Sequence, residues 1–240
     1  MQIGDAPFDQ AVALPFPLQT AVGALHVYLG MELPGHAPES VSKEKVLIWG
    51  AGGSVGGYAV QYAKSVGYTG MIVSPPSARR LTRVVVATAS PRGFEHLKKL
   101  GATEVLDYKS PAIIADLLAL GPFKYMYTTS GDSASQQALA TLLQPEGGKF
   151  ASTLGGDVKL PKNVERVYEF FGNVTQKEGS NFEEFAKWWY EEYLGKVITD
   201  GNVEPTAFTK VAGGLNALQT AGDAILEGKI RGKPIVNPQE

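Results

Sequence analysis

A glycine-rich segment holds the clearest chemical signal in the sequence. Gly50, Gly53 and Gly56 follow an apolar run at 46–49 and precede a helical pattern at 55–66. Where a strand ends in a glycine turn that opens a helix, free backbone N–H groups and the helix dipole bind a pyrophosphate, and glycine lets the phosphates approach closely. The same spacing occurs in ordinary turns, but its place between a strand and a helix favours a dinucleotide site.

The end of the next strand bears on which nucleotide would bind. NAD-preferring sites carry an acidic residue there, which binds the ribose 2′-hydroxyl. Here no acidic residue occurs between Glu44 and Glu95, and Ser90 and Arg92 follow the strand instead. A hydroxyl and a guanidinium suit a 2′-phosphate, so the sequence favours NADP(H). The alternative is that Ser90 caps a helix and Arg92 is solvated.

Other catalytic patterns are absent from the sequence. There is no cysteine, which excludes disulfides and thiolate-bound metal. His26, His36 and His96 show no metal-ligand spacing, and His26 and His96 are predicted to be structural. No Ser-His-Asp arrangement or carboxylate pair indicates acid–base catalysis, and no general acid is assigned. The aromatic run 182–193 is predicted to pack in the core, with a substrate-lining or subunit face as the alternative.

Strand and helix patterns alternate along the chain, as is typical of crossover units in a parallel sheet. Strands are predicted at 46–49, 84–88, 105–106, 125–129, 149–154, 164–171 and 234–236. Helices are predicted at 20–31, 55–66, 93–100, 112–120, 134–143, 181–198 and 215–227. The two prolines in 14–17 are expected to prevent a helix there.

One segment, 70–84, interrupts this alternation with two prolines and three arginines. A functional lid is one hypothesis. The other is a retained intron, because 70–71 can be encoded by a GGTATG splice donor and 81–82 by a CTNAC branch site. A transcript that carries these codons would exclude the intron.

Composition limits the class of protein. The 240 residues are 44% apolar and 19% charged, with a net charge of −2. This balance predicts a buried core and excludes a disordered chain, and the charge gives no sign of a nucleic acid or a membrane as partner. The sequence shows neither a run of 18 apolar residues nor a signal-peptide pattern, so a soluble cytoplasmic protein is expected.

Several short motifs resemble the medium-chain dehydrogenase/reductase superfamily when taken in order. They are the glycine loop, Ala89-Ser90-Pro91 with Lys99-Leu100-Gly101-Ala102, Val105-Leu106-Asp107-Tyr108, Gly213-Gly214-Leu215, and Glu227-Gly228-Lys229-Ile230-Arg231-Gly232-Lys233. The resemblance is to the zinc-independent branch of quinone oxidoreductases and fungal trans-enoyl reductases, and it covers the chain apart from the insertion. It implies an α/β fold with a Rossmann-type doubly wound parallel sheet.

The resemblance also implies roles for individual residues around the cofactor. The pyrophosphate would be bound by Gly53, Ser54, Val55 and Gly56, after Gly50; the 2′-phosphate by Ser90, Arg92 and Tyr108; the adenosine by Ser130 and Gly131; and the nicotinamide by Leu154, Gly155 and Thr20. Lys229 would reach the phosphate. The alternatives are a core or surface aromatic for Tyr108, a helix cap for Thr20 and a solvated side chain for Lys229.

The sequence departs from the family pattern in three places. Zinc alcohol dehydrogenases have a cysteine ligand just before the position of Thr20, whereas 14–17 here reads Leu-Pro-Phe-Pro, so no metal is expected. The strand at 123–131 lacks the aspartates common in relatives. The family's N-terminal barrel-like catalytic domain is missing, which implies a truncated product or gene model, or the cofactor half alone.

The resemblance implies a division of the chain into three parts. Residues 1–42 would be an inter-domain helix and linker, 43–205 the dinucleotide-binding domain, and 206–240 a segment that returns toward the missing domain. Apolar residues would then be exposed where that domain docked. The candidates are Phe8, Val12, Leu14, Phe16, Leu18, Ile235 and Val236, the last two in a closing strand without an obvious sheet of its own.

Two functions remain open at this point. The first is an NADPH-dependent oxidoreductase that reduces an activated carbon–carbon double bond or a quinone by hydride transfer. Its partner would be a small-molecule enone, quinone or enoyl thioester. The second is a non-catalytic NADP-binding module. Either function is compatible with a homodimer.

Overall fold

The computed structural model describes residues 3–36, 44–69, 83–230 and 232–240. Within these residues six strands form one sheet in the order β3-β2-β1-β4-β5-β6, and every neighbouring pair is parallel. The strands are β1 Lys45–Trp49, β2 Val84–Ala89, β3 Glu104–Asp107, β4 Tyr125–Thr128, β5 Gly148–Ser152 and β6 Val164–Val167. This order is that of the Rossmann-type doubly wound sheet, so the predicted fold class is confirmed.

Helices connect the strands and flank the sheet. They are α1 Phe8–Ala13, α2 Pro15–Val22, α3 Ser54–Ser65, α4 Phe94–Leu100, α5 Ile113–Leu120, α6 Ser133–Leu142, α7 Ser180–Trp188, α8 Leu194–Asp200 and α9 Leu218–Leu226. A π-helical segment, Trp189–Tyr193, joins α7 to α8, so the predicted helix at 181–198 is one helical run with a wider turn inside it.

The central strand β1 shows why both faces of the sheet must be covered. Val46 and Ile48 lie in one apolar cluster with residues of α2 and α3. Leu47 and Trp49 point the other way, into a second cluster with residues of α5 and α6. Because side chains alternate along a strand, a strand that is apolar at every position needs helices on both sides.

The N-terminal helices correct one expectation from the sequence. The prolines of 14–17 do not prevent a helix, since α2 begins at Pro15 and includes Pro17. Both prolines lie in the first turn, where backbone N–H groups have no partner inside the helix, so the missing donors cost little. The helix continues through a π-helical segment, Gly23–Tyr28.

The whole helical run Phe8–Tyr28 is long and apolar enough, by length and composition alone, to cross a membrane. Its mean hydropathy is 1.2, and 61% of the apolar window is buried inside the structure. The buried part packs against α3 and against the 3₁₀ segment Phe171–Gln176. In this structure the run is therefore a core helix.

The C-terminal segment forms a small sheet of its own. β7 Phe208–Val211 and β8 Lys233–Val236 pair in parallel, with α9 between them in the chain. The expectation that Ile235 and Val236 have no sheet to join was wrong. Their partner β7 escaped prediction because Thr209 and Lys210, two exposed polar residues, give it no apolar pattern.

Only some of the apolar residues that were expected to be exposed are exposed. Leu14 and Leu18 are buried, whereas Phe8, Val12 and Phe16 are 83%, 57% and 54% exposed. α1 and the β7–β8 sheet together line a cleft of about 590 Å³. The leading helix thus presents apolar side chains on one side and fills the core with the other.

Most of the predicted insertion lies outside the described residues, which resume at Arg83. Arg83 donates a hydrogen bond to the Val66 carbonyl (3.0 Å) and lies 3.4 Å from the Glu44 carboxylate. Val84 is the first residue of β2 and pairs with Lys45. The last two residues of the predicted insertion therefore belong to the fold.

Candidate cofactor-binding site

The predicted site residues gather at one edge of the sheet because parallel strands all end there. The strand order proceeds from β1 to β3 on one side and from β4 to β6 on the other, so the direction of winding reverses between β1 and β4. In open α/β sheets ligands bind outside the carboxyl ends of the strands at such a point. The glycine loop after β1 and Ser130 after β4 lie against each other there, since a Cβ on Gly50 would be 3.0 Å from the Ser130 nitrogen.

Two glycines allow the loop and α3 to pack closely. Gly50 has φ +78°, in the left-handed region, and its N–H donates to the Thr88 hydroxyl at 3.1 Å. A Cβ on Gly56 would lie 2.5 Å from the Ala51 Cα and 2.9 Å from the Gly50 carbonyl oxygen. Both positions therefore require glycine for reasons inside the protein.

Gly53 differs from these two because, in the described part of the chain, no atom other than those of its chain neighbours lies within 4 Å of the position of a Cβ there. It is the N-cap of α3, and no side chain caps that helix. The N–H groups of the first helical turn have no carbonyl partner in the helix itself. Open space at Gly53 beside uncapped N–H groups fits the pyrophosphate of a dinucleotide.

The two residues after Gly53 have additional contacts within the protein. The Ser54 hydroxyl lies 3.1 Å from that of Thr206, in the segment that leads to β7. Val55 packs against the apolar cluster on the α2 and α3 side. Their side chains are thus engaged elsewhere, which leaves their backbone N–H groups as the parts that a phosphate would contact.

Two threonines that the sequence analysis missed hold the loop in place. Thr88, at the end of β2, is fully buried and accepts the Gly50 N–H. The Thr129 hydroxyl, after β4, donates to the Gly50 carbonyl at 2.9 Å and is 3.1 Å from that of Trp49. A polar residue at the end of an otherwise apolar strand was the available signal.

The end of β2 carries the residues predicted to bind the 2′-phosphate. Arg92 is exposed in the 3₁₀ turn Pro91–Gly93, and the half-buried Ser90 precedes that turn. Ser90 occupies the N-cap position of that turn without a capping hydrogen bond from its hydroxyl, and Arg92 is exposed, so the alternative of a cap and a solvated guanidinium stays open. Tyr108 is 39% exposed, with the Lys109 ammonium 5.8 Å from its ring centre.

An acidic residue does lie at the neighbouring strand end. Asp107 ends β3 and pairs in register with Ala89 of β2. One of its carboxylate oxygens accepts the Lys109 N–H at 2.9 Å. The sequence-based preference for NADP rests on the end of β2 alone, and this carboxylate also bears on the choice between NAD and NADP.

The ends of β4 and β5 meet beside the crevice. Gly131 has φ +63°, and a Cβ there would be 2.7 Å from the Leu154 nitrogen. Leu154 is 54% exposed, and the Gly155 backbone lies against the ring of Tyr168. The structure thus places the predicted adenosine pair and the predicted nicotinamide pair in direct contact.

Helix α6 begins directly behind these strand ends. Its N-cap, Asp132, accepts the Ser135 N–H at 2.9 Å. Burial alone would raise the pKa of the Asp132 carboxyl, but the hydrogen bonds from Ser135 and Ser130 bring it below the usual value. Gln136, which the sequence analysis missed, lies one turn further and contacts both strand ends.

Two predicted residues have ordinary contacts. Thr20 lies inside α2, and its hydroxyl donates to the Phe16 carbonyl at 2.9 Å. The helix-cap alternative for Thr20 is therefore wrong. Lys229 is exposed and pairs with Glu227.

His26 packs inside the structure, as predicted. Burial lowers the pKa of His26, whose Nδ1 lies 2.6 Å from the Met31 carbonyl oxygen and whose ring stacks on Phe185. His96 is half exposed near Glu204. Among the described residues no group of three His, Asp or Glu side chains could hold a metal ion.

The aromatic run after residue 180 packs mainly in the core. Trp189 is fully buried and Phe185 is 3% exposed, whereas Tyr190 is 52% exposed. Nearby, a cleft of about 600 Å³ is lined by the side of α3, the end of α8 and the segment 201–204. Among the described residues that line this cleft, none is one of the predicted site residues.

Comparison with known proteins gives a consistent family of relatives, although no family model matches. The chain is 29% identical over 245 residues to the dehydrogenase azaJ of Aspergillus niger, which covers 95% of this chain and 63% of that protein. It is 28% identical to the trans-enoyl reductase himH of Aspergillus japonicus, over 92% of this chain and 60% of that protein. The chain thus spans less than two thirds of the length of these relatives.

Solved structures show the same fold. The CurK enoyl reductase matches 98% of this chain and 64% of its own, with a TM-score of 0.68 and 19% identity. A quinone oxidoreductase of Pseudomonas syringae matches 98% of this chain and 66% of its own, with a TM-score of 0.66 and 19% identity. The homologues and the structural neighbours of this chain are members of the medium-chain dehydrogenase/reductase superfamily, and the chain corresponds to part of their length.

Proposed function

We propose that the carboxyl edge of the sheet binds NADP(H). The observation that carries this proposal is the contrast between Gly56, where a Cβ would meet backbone atoms, and Gly53, where a Cβ would meet nothing. Contacts inside the protein explain why residue 56 is a glycine. They do not explain Gly53, where a bound ligand would require one. A pyrophosphate on the uncapped start of α3 would use that space.

The preference for NADP over NAD rests on the end of β2. Arg92 and Ser90 follow that strand without an acidic residue, and a guanidinium binds a 2′-phosphate through charge-assisted hydrogen bonds. Asp107, at the end of the neighbouring strand β3, would repel the phosphate, so the preference requires that the contacts of the Arg92 guanidinium and the Ser90 hydroxyl outweigh this repulsion. We therefore assign Arg92 and Ser90, with Tyr108 beside them, to the 2′-phosphate.

The reaction that we propose is the reduction of an activated carbon–carbon double bond or a quinone. A bound nicotinamide supplies the hydride for such a reaction. The chain would orient the ring with the backbone of Leu154 and Gly155 and with α2 near Thr20. Four exposed apolar side chains are suited to a small apolar enone, quinone or enoyl thioester: Phe16, Leu154, Tyr168 and Phe170.

Part of this apolar surface is continuous with the proposed nicotinamide position. Tyr168 lies against Gly155, and the rings of Phe16 and Phe170 are 6.1 Å apart. Named relatives include trans-enoyl reductases, which supports an oxidoreductase of this kind. We further propose that the protein is cytoplasmic and works without zinc.

The experiment is a paired titration with NADPH and NADH, followed by turnover assays with a panel of quinones and enones. Tighter binding of NADPH, with oxidation that depends on the acceptor, would support the full proposal. Because the chain spans part of its relatives' length, turnover should also be measured with a homologous N-terminal domain added. Binding without turnover in both cases would select the second candidate, an NADP-binding module. Equal affinity for both nucleotides would refute the assignment to the 2′-phosphate.

A further inference from the structure

Gln136 is a buried polar side chain directly behind the ends of β4 and β5. It is 1% exposed and lies in the second turn of α6. Its side-chain nitrogen donates to the carbonyls of Gly131 and Gly155, each at 2.6 Å, and lies 3.3 Å from the Leu154 carbonyl. One amide group thus joins the two strand ends that we assign to the cofactor.

Arg166 of β6 determines which way this amide points. Its guanidinium donates to the Gln136 side-chain oxygen at 2.7 Å. An arginine can only donate and a backbone carbonyl can only accept, so the amide oxygen must face Arg166 and the NH₂ must face the strand ends. In the opposite orientation the amide oxygen would face three carbonyl oxygens and the NH₂ would face the guanidinium, which makes four unfavourable contacts. The arrangement therefore has a single favourable state.

This contact adds to others that hold the backbone after β5, since the Ser152 hydroxyl donates to the Leu154 carbonyl at 2.7 Å and the Thr153 N–H donates to the Thr128 carbonyl at 3.1 Å. Leu154 is 54% exposed, and the chain leaves β5 at Ser152. Gly131 and Leu154 are in close contact, because a Cβ on Gly131 would lie 2.7 Å from the Leu154 nitrogen. Removal of the amide would take a donor from the carbonyls of Gly131 and Gly155, which destabilises a local conformation, whereas the Leu154 carbonyl keeps the Ser152 hydroxyl as donor.

We propose that Gln136, oriented by Arg166, is a positioning residue that fixes the backbone of Leu154 and Gly155 against the nicotinamide half of the cofactor. This inference rests on the proposed NADP(H) site. The residue would act through the two strand ends and not touch the cofactor itself. Gly131 keeps a second contact, because its N–H donates to the Thr128 hydroxyl at 3.0 Å. Loss of Gln136 should therefore weaken the nicotinamide half of binding more than the adenosine half.

The test compares two ligands on two matched variants. Gln136→Met keeps the length of the side chain and removes both its donor and its acceptor. Gln137→Met makes the same change on the exposed side of the same helix. The ligands are NADPH and 2′,5′-ADP, which carries the 2′-phosphate but no nicotinamide. Thermal unfolding of each variant shows whether it is folded.

We expect Gln136→Met to weaken NADPH binding about tenfold, the loss of roughly one hydrogen bond's net contribution. The affinity for 2′,5′-ADP should change by less than about threefold, and the shift of NADPH fluorescence on binding should decrease. Gln137→Met should leave all three values unchanged. Arg166→Met should reproduce the selective loss with Gln136 still present, and Arg166→Lys, which keeps one donor, should restore part of it. The two Arg166 variants also test the proposal if Gln136→Met does not fold.

Two results would overturn the inference. Equal weakening of both ligands would show a merely structural role, and unchanged NADPH affinity in folded Gln136→Met and Arg166→Met variants would show no role at all. The wild-type protein separates this failure from failure of the proposed function. If it binds NADPH more tightly than 2′,5′-ADP but the variants show no selective loss, only the inference fails. If it binds neither ligand, the proposed site fails as well.

Discussion

Replacement of Gly53 by valine should abolish NADPH binding and leave the fold intact. The backbone at Gly53 has φ −90° and ψ 173°, an extended conformation that any residue adopts. Because no atom lies within 4 Å of its Cβ position, the new side chain would enter only the space that we assign to the pyrophosphate. Steric exclusion of the ligand is thus the expected effect.

The size of each effect follows from these contacts. Valine is a poorer N-cap than glycine, so we expect a loss of about 1 kcal/mol in the free energy of unfolding. This lowers the Tm by about 2–4 °C for a chain of this size. Loss of two hydrogen bonds to a charged pyrophosphate, each worth about 1.5–3 kcal/mol, would weaken binding by about a hundredfold or more.

Gly56→Ala supplies the matched contrast. Its Cβ would lie 2.5 Å from the Ala51 Cα, a backbone atom that cannot turn aside. Overpacking of this kind costs about 1–3 kcal/mol, so the Tm should fall by roughly 2–12 °C. Gly53→Val should therefore lose mainly affinity, whereas Gly56→Ala should lose mainly stability.

Calorimetric titration with NADPH and thermal unfolding measure the two quantities on the same samples. Wild-type NADPH affinity in folded Gly53→Val would show that this loop is only a turn. A Gly56→Ala variant as stable as the wild type would show that the loop and α3 are less closely packed than the structure indicates.

Three further predictions concern separate features. Arg92→Glu should weaken NADPH binding about tenfold or more and spare NADH, because a carboxylate would face the 2′-phosphate; titration that shows both nucleotides equally affected would contradict this role. The exposed Phe8 and Val12 should promote self-association and binding of a hydrophobic dye. The double variant Phe8→Ser, Val12→Ser should reduce self-association in light scattering and dye binding in fluorescence. A monodisperse, dye-negative wild type would show that these two side chains form no contact surface. Burial lowers the pKa of His26, so protonation favours the unfolded chain, and the Tm should fall as the pH drops below about 6.5. His26→Gln should reduce that pH dependence, and an unchanged Tm profile would contradict it.

The sheet could be predicted from the sequence because its central strands carry a local signal. Residues 46–49 are apolar at every position, as a strand covered on both faces must be. The glycine loop was equally visible, since a strand, a glycine turn and a helix follow one another within a short stretch. Strand alternation with helices then leaves few possible topologies.

Features that depend on distant contacts were not visible. β7 is a strand because β8 pairs with it, and its own residues do not alternate in a way that indicates this. The helix that begins at Pro15 was missed for a local reason, because a proline in the first turn lacks only an N–H that has no partner inside the helix.

The sequence by itself determined that a glycine loop would open α3 at the carboxyl edge of a parallel sheet. It did not distinguish Gly53 from Gly56, which are the same residue three positions apart. Only the tertiary structure decided this, because the space around a Cβ depends on the Ala51 backbone and on Thr129 from another strand. The same holds for Gln136, whose amide is useful only because Gly131, Gly155 and Arg166 meet around it. A sequence pattern specifies local conformation, whereas packing between strands specifies which atoms are close.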